Sequence, residues 1–570
     1  MIETPRFEDT YAYRVGRIFK DGIIYVSDVT GQPLIYIRTD GVDEKLLDTD
    51  RAMTYTLDRE NNVIFATHDE KGDERWIISV IKHGEEEYRI GGDKSINHIG
   101  WPDPETKQVP YTSNREEPSQ FKLYIMDYED YTEREIYGPE RGLYGSTISP
   151  GGELVAVQIY RSSSDVELRI IESDSGREVS GIGGGGDVVH LPRWVDDDTL
   201  MVITDVGREN LYLARYRVGG ELEPVVEAEW DVENYAYQDG ILIHSVNEAG
   251  DSKLYINGDP LEKPKGVVNM IDIYNGKVLI SMDTIKYGES IWTLEDGRLK
   301  PYLYAEIFDE LTEHLVEPEV VRYRSWDELN IDMILYKPKG KPPYPTIINP
   351  HGGPESQSRP RYSPLIQKLI YLGYAVAQPN YRGGTGYGKT FRDMDRVEKR
   401  VDSLRDVEKA IYTLIERRLA DPNKIGIMGG SYGGYVTLYM ITHLPKRFKA
   451  AVSIVGIANL ETFLRNTGPW RRRHREYKYG SLERDIDILR RLSPIHYIEN
   501  VETPLLLIHG ANDPRVPVEE SIMMYNKLAE KGVETELVIY DDEGHGVVKK
   551  ANRLDYMDRI VKWFLKHIPP

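Results

Sequence analysis

Short apolar runs come in pairs along the first half of the chain. IIYVS at Ile23, VIFAT at Val63, VPYT at Val109, LVAV at Leu154, LMVIT at Leu200, ILIH at Ile241 and VLIS at Val278 each open a pair. The second members are LIYI at Leu34, WIISV at Trp76, KLYIM at Lys122, ELRII at Glu167, NLYLA at Asn210, KLYIN at Lys253 and SIWTL at Ser290. Turn residues such as DVTGQP, DEKGDE, DVGREN and NEAGDS separate the two members, which predicts hairpins. The pairs recur seven times at roughly 37 to 47 residues. A repeat of that length with several strands per unit predicts an all-β, seven-bladed β-propeller, one blade per repeat. No Trp-Asp signature recurs with the repeat; strand pairs rich in Tyr and Ile carry it instead. GIGGGGD at 181–187 has no GK[ST] after it and reads as a flexible connection between the fourth and fifth blades.

The texture changes near residue 316. Short buried runs, YAVAQPNYR, KIGIMGG, AAVSIVG, PLLLIHG and ELVIYDD, now alternate with helix-length segments. That alternation predicts a mainly parallel sheet with crossover helices. In the last segment Leu554, Met557, Ile560, Val561, Phe564 and Leu565 share one helical face and are expected to close the sheet. The expected organisation is a propeller over residues 1–315 and an α/β domain over 316–570. The first ~20 residues are an extension expected to pack on the α/β domain.

Charge sharpens this division. The net charge of −22 is unevenly shared: residues 316–570 hold 40 Lys and Arg against 32 Asp and Glu, which leaves 32 against 62 in residues 1–315. The acidic half would repel nucleic acid and anionic membrane. It reads first as a solvated surface, and second as a complement to the basic half or an attractant for cationic substrates. No stretch reaches the roughly 18 apolar residues of a membrane span, and the first residues lack the basic-then-apolar pattern of a signal peptide. The absence of cysteine excludes disulfides, thiolate nucleophiles and cysteine–metal sites, and fits a cytoplasmic setting. Only 8 glutamines stand beside abundant Glu, Lys and Arg, a bias associated with hot environments.

The chemistry centres on Gly429-Gly430-Ser431-Tyr432-Gly433-Gly434, a GxSxG between a short apolar run and a helical segment. Such a turn holds a serine in a strained conformation at the tip of a strand. A serine hydroxyl needs a base, and the base needs an orienting acid. PLLLIHGANDPRVP presents Asp513 after one strand, and ELVIYDDEGHG presents His545 after the next, in the order such a sheet demands. Asp542 and Glu543 are rival acids, too near His545 in sequence to orient it in the usual way. For the developing oxyanion, the backbone N–H of Tyr432 and that of Gly353 in the HGGP loop are the expected donors, with Gly352 or the His351 side chain as alternatives. GGTGYGKT at 383–390 also matches the letters of a phosphate-binding loop, but no strand ending in Asp stands ready for magnesium, so nucleotide binding is not expected.

HGGP, NYRGGTGYG, GGSYGGY, HGANDPRVP and DEGHG behind a propeller resemble the prolyl oligopeptidase family of serine peptidases, and most of all its acylaminoacyl-peptidase branch. The resemblance implies an α/β-hydrolase domain and a propeller that restricts substrates to short peptides. It implies hydrolysis through an acyl-enzyme that releases N-acylated or free N-terminal residues, without cofactor or metal. It also implies that Arg515 contacts a substrate carbonyl, and that the segment from Phe463 to Tyr479 builds the pocket, with Phe463 and Trp470 on its walls. The arginines 471–473 and 475 in that segment face either acidic substrate groups or the propeller or a neighbouring subunit. The glutamate pair that clamps a free amino terminus in dipeptidyl peptidases has no matching stretch, and His351 stands where prolyl endopeptidases use a tyrosine. A carboxylesterase with the same triad and an oligopeptidase or dipeptidyl peptidase are the alternatives; a homo-oligomer is compatible with either.

Overall fold

The computed structural model describes residues 4–92 and 94–570. Residues 13–303 form seven four-stranded antiparallel sheets, each made of four consecutive strands. The middle strands are covered on both faces by the neighbouring sheets. Val63–Asp69 and Thr199–Thr204 are buried at every position, whereas the outer strand Val42–Lys45 is exposed throughout. Burial on both faces requires uninterrupted apolar runs, which is why the middle strands dominate the repeat.

No strand is exchanged between the first and last blades. The ring closes through side chains instead: Gly16 N–H donates to Ser281 Oγ at 2.9 Å and Ile18 N–H to Asp272 Oδ2 at 2.9 Å. Asp272, itself buried, also accepts from Arg59 at 2.5 Å and Arg17 at 3.3 Å. The guanidiniums of Arg17 and Arg193 lie on the Trp101 ring, 4.4 and 4.1 Å from its centre. These side chains fall within a cavity of about 570 Å³ bounded by the innermost strands.

Two expectations are corrected. The stretch 181–187 is not a loose connection: Glu178–Gly183 is the outer strand of the fourth blade, and Gly184 bridges to Asp187. The N-terminal extension is shorter than about 20 residues, because Tyr13–Phe19 already belongs to the first blade. The residues ahead of it do reach the second domain, where Tyr362 donates to the Phe7 carbonyl at 2.9 Å and Lys368 meets Glu8 at 3.0 Å.

The second domain is built on one eight-stranded sheet: β1 (Glu319–Arg324), β2 (Asn330–Tyr336), β3 (Tyr344–Ile348), β4 (Ala375–Pro379), β5 (Ala420–Gly430), β6 (Ala450–Ile454), β7 (Leu505–Gly510) and β8 (Thr535–Tyr540). Their spatial order is β1-β2-β4-β3-β5-β6-β7-β8, with β3 to β8 parallel to one another and β2 antiparallel to both its neighbours, β1 and β4. Helix α1 (Tyr432–His443) packs on one face; helix α3 (Lys550–His567) covers the other with Met557, Ile560, Val561 and Phe564 buried. This is an α/β-hydrolase sheet, with the strand C-termini turned toward the propeller.

The charge division acquires a structural meaning here. Arg359–Glu233 at 2.7 Å, Arg392–Asp205 at 2.9 Å, Lys549–Asp50 at 2.8 Å and Arg553–Asp28 at 2.5 Å all cross between the domains. Among the described residues every ion pair across this boundary takes its cation from the hydrolase domain and its carboxylate from the propeller. Several of these carboxylates are buried, so removing a partner would leave a desolvated charge.

Within the ring, the same logic gives a stability prediction. Asp272→Ala strands Arg17 and Arg59 beside the closing seam and should cost the propeller about 3 kcal/mol. Calorimetry should show a lower melting transition; an unchanged melting profile would mean that the seam does not depend on Asp272.

Candidate active site

The turn from β5 into α1 places Ser431 at φ 55° and ψ −118°, a strained conformation for a residue with a side chain. Two glycines make the turn possible. A Cβ on Gly429 would lie 2.3 Å from the Gly433 carbonyl oxygen, and one on Gly433 would lie 2.2 Å from that of Pro350. The Ser431 hydroxyl is therefore fixed over the start of α1, where Tyr432 presents a backbone N–H that has no intrahelical partner.

The loops after β7 and β8 bring Asp513 and His545 to the same point. His545 Nε2 is 2.9 Å from Ser431 Oγ, and Nδ1 is 2.7 Å from Asp513 Oδ2. The other Asp513 oxygen accepts from the N–H groups of Arg515 at 2.8 Å and Val516 at 3.0 Å. Burial pushes the Asp513 carboxyl up, but the His545 and His509 imidazoles outweigh it and hold the group well below the usual carboxylate range. Burial likewise holds His545 below the ordinary imidazole value, against the pull of Asp513. The rival acids are engaged elsewhere: Asp542 meets Lys549 at 3.1 Å, and Glu543 accepts from the Lys549 N–H at 2.9 Å.

A cavity of about 330 Å³ opens beside Ser431 and His545. Gly352 and Gly353 form one edge, and a Cβ on Gly352 would be 3.6 Å from that of Ser431. The His351 side chain does not line this cavity. Its ring stacks on Tyr381 at 4.1 Å, and its Nδ1 lies 2.7 Å from the Gly352 carbonyl oxygen, so it braces the glycine loop from behind. Burial lowers its pKa to about 4, leaving the ring neutral. Phe463, Ile457, Tyr479 and Val516 supply the apolar wall.

Trp470, expected beside Phe463, is elsewhere. It stands at the start of helix α2 (Pro469–Tyr479), is absent from the cavity wall and packs against the apolar core of the third and fourth blades. His474 on the same helix lies 3.0 Å from Ser163 Oγ of the propeller. The helix thus bridges the domains and uses its tryptophan for docking. Arg515 does line the cavity, while its Nε donates to Glu74 of the propeller at 2.6 Å. Glu74 was not legible in the sequence, since nothing local distinguishes it from the many acidic residues around it. Its loop also presses Gly72 against the histidine loop, where a Cβ on Gly72 would sit 2.5 Å from the Gly544 nitrogen.

GGTGYGKT is a docking turn. Thr390 donates through its N–H and Oγ1 to the two oxygens of Glu209, at 2.7 and 2.8 Å, and Lys389 pairs with Asp187. Propeller carboxylates sit where a phosphate would have to bind. Among the described residues no group of three or more His, Asp or Glu is arranged to hold a metal ion, and no helix is long and apolar enough to cross a membrane.

Comparison with known proteins places this geometry. A dipeptidyl aminopeptidase BIII of Pseudoxanthomonas mexicana is 34% identical over 219 residues, covering 38% of this chain and 32% of that protein. Acylamino-acid-releasing enzyme 1 of Oryza sativa subsp. japonica is 30% identical over 251 residues, covering 42% and 32%. The matched segments thus span about a third of the length of these curated relatives. A puromycin-hydrolyzing peptidase of Mycobacterium tuberculosis shares the fold over 99% of this chain and 96% of its own, with a TM-score of 0.87 at 20% identity. A sequence model described as the prolyl oligopeptidase family matches residues 360–569. That segment, which contains Ser431, Asp513 and His545 in one hydrogen-bonded line, is where the chain is similar to the prolyl oligopeptidase family.

Proposed function

We propose that the protein is a serine peptidase that hydrolyses short peptides through an acyl-enzyme and releases N-acylated or free N-terminal residues. The observation that carries this reading is the pair of contacts from His545, 2.9 Å to Ser431 Oγ and 2.7 Å to Asp513, above a cavity edged by glycine backbone. Ser431 Oγ attacks the peptide carbonyl while His545 Nε2 takes its proton. Asp513 accepts the Nδ1–H, fixes the tautomer and stabilises the imidazolium. The N–H groups of Tyr432 and Gly353 receive the oxyanion. His545 then protonates the leaving amine, and water releases the acyl group by the reverse sequence.

The acylaminoacyl-like reading is favoured over a dipeptidyl one by the state of two propeller carboxylates, of which Glu74 is held by Arg515 at 2.6 Å. Glu233, which lines a neighbouring cavity, is held by Arg359 at 2.7 Å and is not free to clamp an amino terminus. Relatives named for acylamino-acid release and for dipeptidyl aminopeptidase activity both match this chain, so the choice rests on these carboxylates. An esterase is the second reading, because an ester needs less leaving-group protonation than an amide. A cytoplasmic setting is consistent with a chain that has no cysteine.

Ser431→Ala should lower kcat/KM on acyl-amino-acid anilides by roughly 10⁵- to 10⁶-fold; retained turnover would contradict the assignment. His545 must be neutral to accept the proton, and its folded pKa lies below 6.5. Activity should therefore rise with pH along an acid limb whose midpoint is below 6.5, using a substrate that does not titrate there. A limb centred above pH ~7 would contradict the burial argument. Measured side by side, anilide cleavage across several residues supports the peptidase, and cleavage of short-chain esters alone supports the esterase.

The propeller also enters the chemistry as a support for the histidine loop. Gly72→Ala would push against Gly544, one residue before His545. It should reduce kcat/KM by about tenfold through misplacement of the base, with unchanged circular dichroism. Wild-type activity would show that the loop carrying His545 is positioned without the propeller.

A further inference from the structure

Helix α2 carries four arginines with different surroundings. Arg472 pairs with Glu476 and Glu483 at 3.0 and 2.9 Å on the outer surface, and Arg473 is exposed. Arg471 and Arg475 instead line the cavity beside Ser431 and His545, together with Arg515. The carboxylates facing this group come from two other elements. Glu74 of the propeller holds Arg515 at 2.6 Å, and Glu355 of the glycine loop approaches Arg475 at 3.9 Å. Arg475 Nη1 also lies 3.5 Å from the Gly353 carbonyl oxygen. Neither carboxylate pairs with Arg471. Its side chain makes no ion pair or hydrogen bond among the described residues, and its Nε is buried without a partner.

An unpaired guanidinium that is largely withdrawn from water is costly, and two further cations beside it raise that cost. Burial first, and then the neighbouring Arg475 and Arg515, push Arg471 down to about 9. An arriving anion would relieve both effects, and a guanidinium fork is shaped for the two oxygens of a carboxylate. The helix that carries Arg471 is anchored on both flanks, by Trp470 against the propeller core and by His474 near Ser163. The arginine is therefore held in place before substrate arrives.

We propose that Arg471, assisted by Arg475, is a carboxylate-binding subsite beside Ser431, so that the substrates carry a negative charge within one or two residues of the cleaved bond. This rests on the reading of Ser431 as a peptidase nucleophile. The carboxylate belongs either to an Asp or Glu side chain or to the C-terminus of the peptide. Both present the same chemistry to Arg471.

The test compares two matched pairs of N-acetylated peptides: a free-acid peptide with its C-terminal amide, and an amidated peptide containing Asp next to the cleaved bond with its Asn counterpart. In the wild-type protein at least one charged member should exceed its neutral partner in kcat/KM by about tenfold. R471Q should collapse that ratio to below about threefold, R475Q should lower it, and R473Q, outside the cavity, should retain it. Preference for the free acid assigns the C-terminal carboxylate; preference for Asp assigns the side chain. Labelling of R471Q by a fluorophosphonate at the wild-type rate would show that its nucleophile is intact. Equal cleavage of charged and neutral partners by the wild type, or an equal loss on both with R471Q, would overturn the subsite. Failure to cleave any of the peptides, or the matching acyl-amino-acid anilides, would instead contradict the peptidase reading itself.

Discussion

The arrangement depends on a one-signed electrostatic seam. The C-terminal rim of the hydrolase sheet, where Ser431, Asp513 and His545 meet, faces the acidic propeller, and the hydrolase domain reaches across with Arg359, Lys389, Arg392, Lys549 and Arg553. A surface ion pair contributes little, but a partly buried set of one polarity fixes which faces meet and penalises any other register. Through that seam the propeller becomes part of the site: Glu74 engages Arg515, and Gly72 abuts the loop that ends in His545.

Inside the hydrolase domain the corresponding constraint is local strain. Ser431 occupies a positive φ in a turn flanked by Gly429 and Gly433, neither of which could carry a Cβ without a backbone collision. The strain is maintained by the sheet beneath, as Ser431 N–H donates to the Ile454 carbonyl at 2.8 Å. The hydroxyl is thereby oriented before substrate arrives, and catalysis needs no rearrangement to bring it to His545. Arg471 follows the same principle one layer out, with a charge held ready on a helix that both domains grip.

The features that were legible in the sequence are those with a local signature. The blades announce themselves because their middle strands are buried on both faces, so runs such as VIFA and LMVI stay apolar at successive positions. The three site residues announce themselves because each follows a strand of the parallel sheet, in the order that the sheet imposes, although the edge strand before His545 is largely uncovered. Contacts between the domains have no such signature. Trp470 reads as a pocket wall because nothing in PWRRR distinguishes a ring that faces substrate from one that faces the fourth blade. Glu74, Asp187 and Glu209 are three acids among many, and only their partners Arg515, Lys389 and Thr390 make them distinctive. For the same reason GGTGYGKT misleads a reader of letters: its Lys and Thr bind carboxylates supplied by residues about 180 to 200 positions earlier.

The central claim is that the Ser431 hydroxyl is an activated nucleophile. Intact-mass analysis after treatment with a fluorophosphonate, followed by peptide mapping, tests it without choosing a substrate. One adduct per chain, located on Ser431 and formed far more slowly when His545 is replaced by alanine, is the predicted result. A chain that stays unmodified, or is labelled at another residue, would contradict the account.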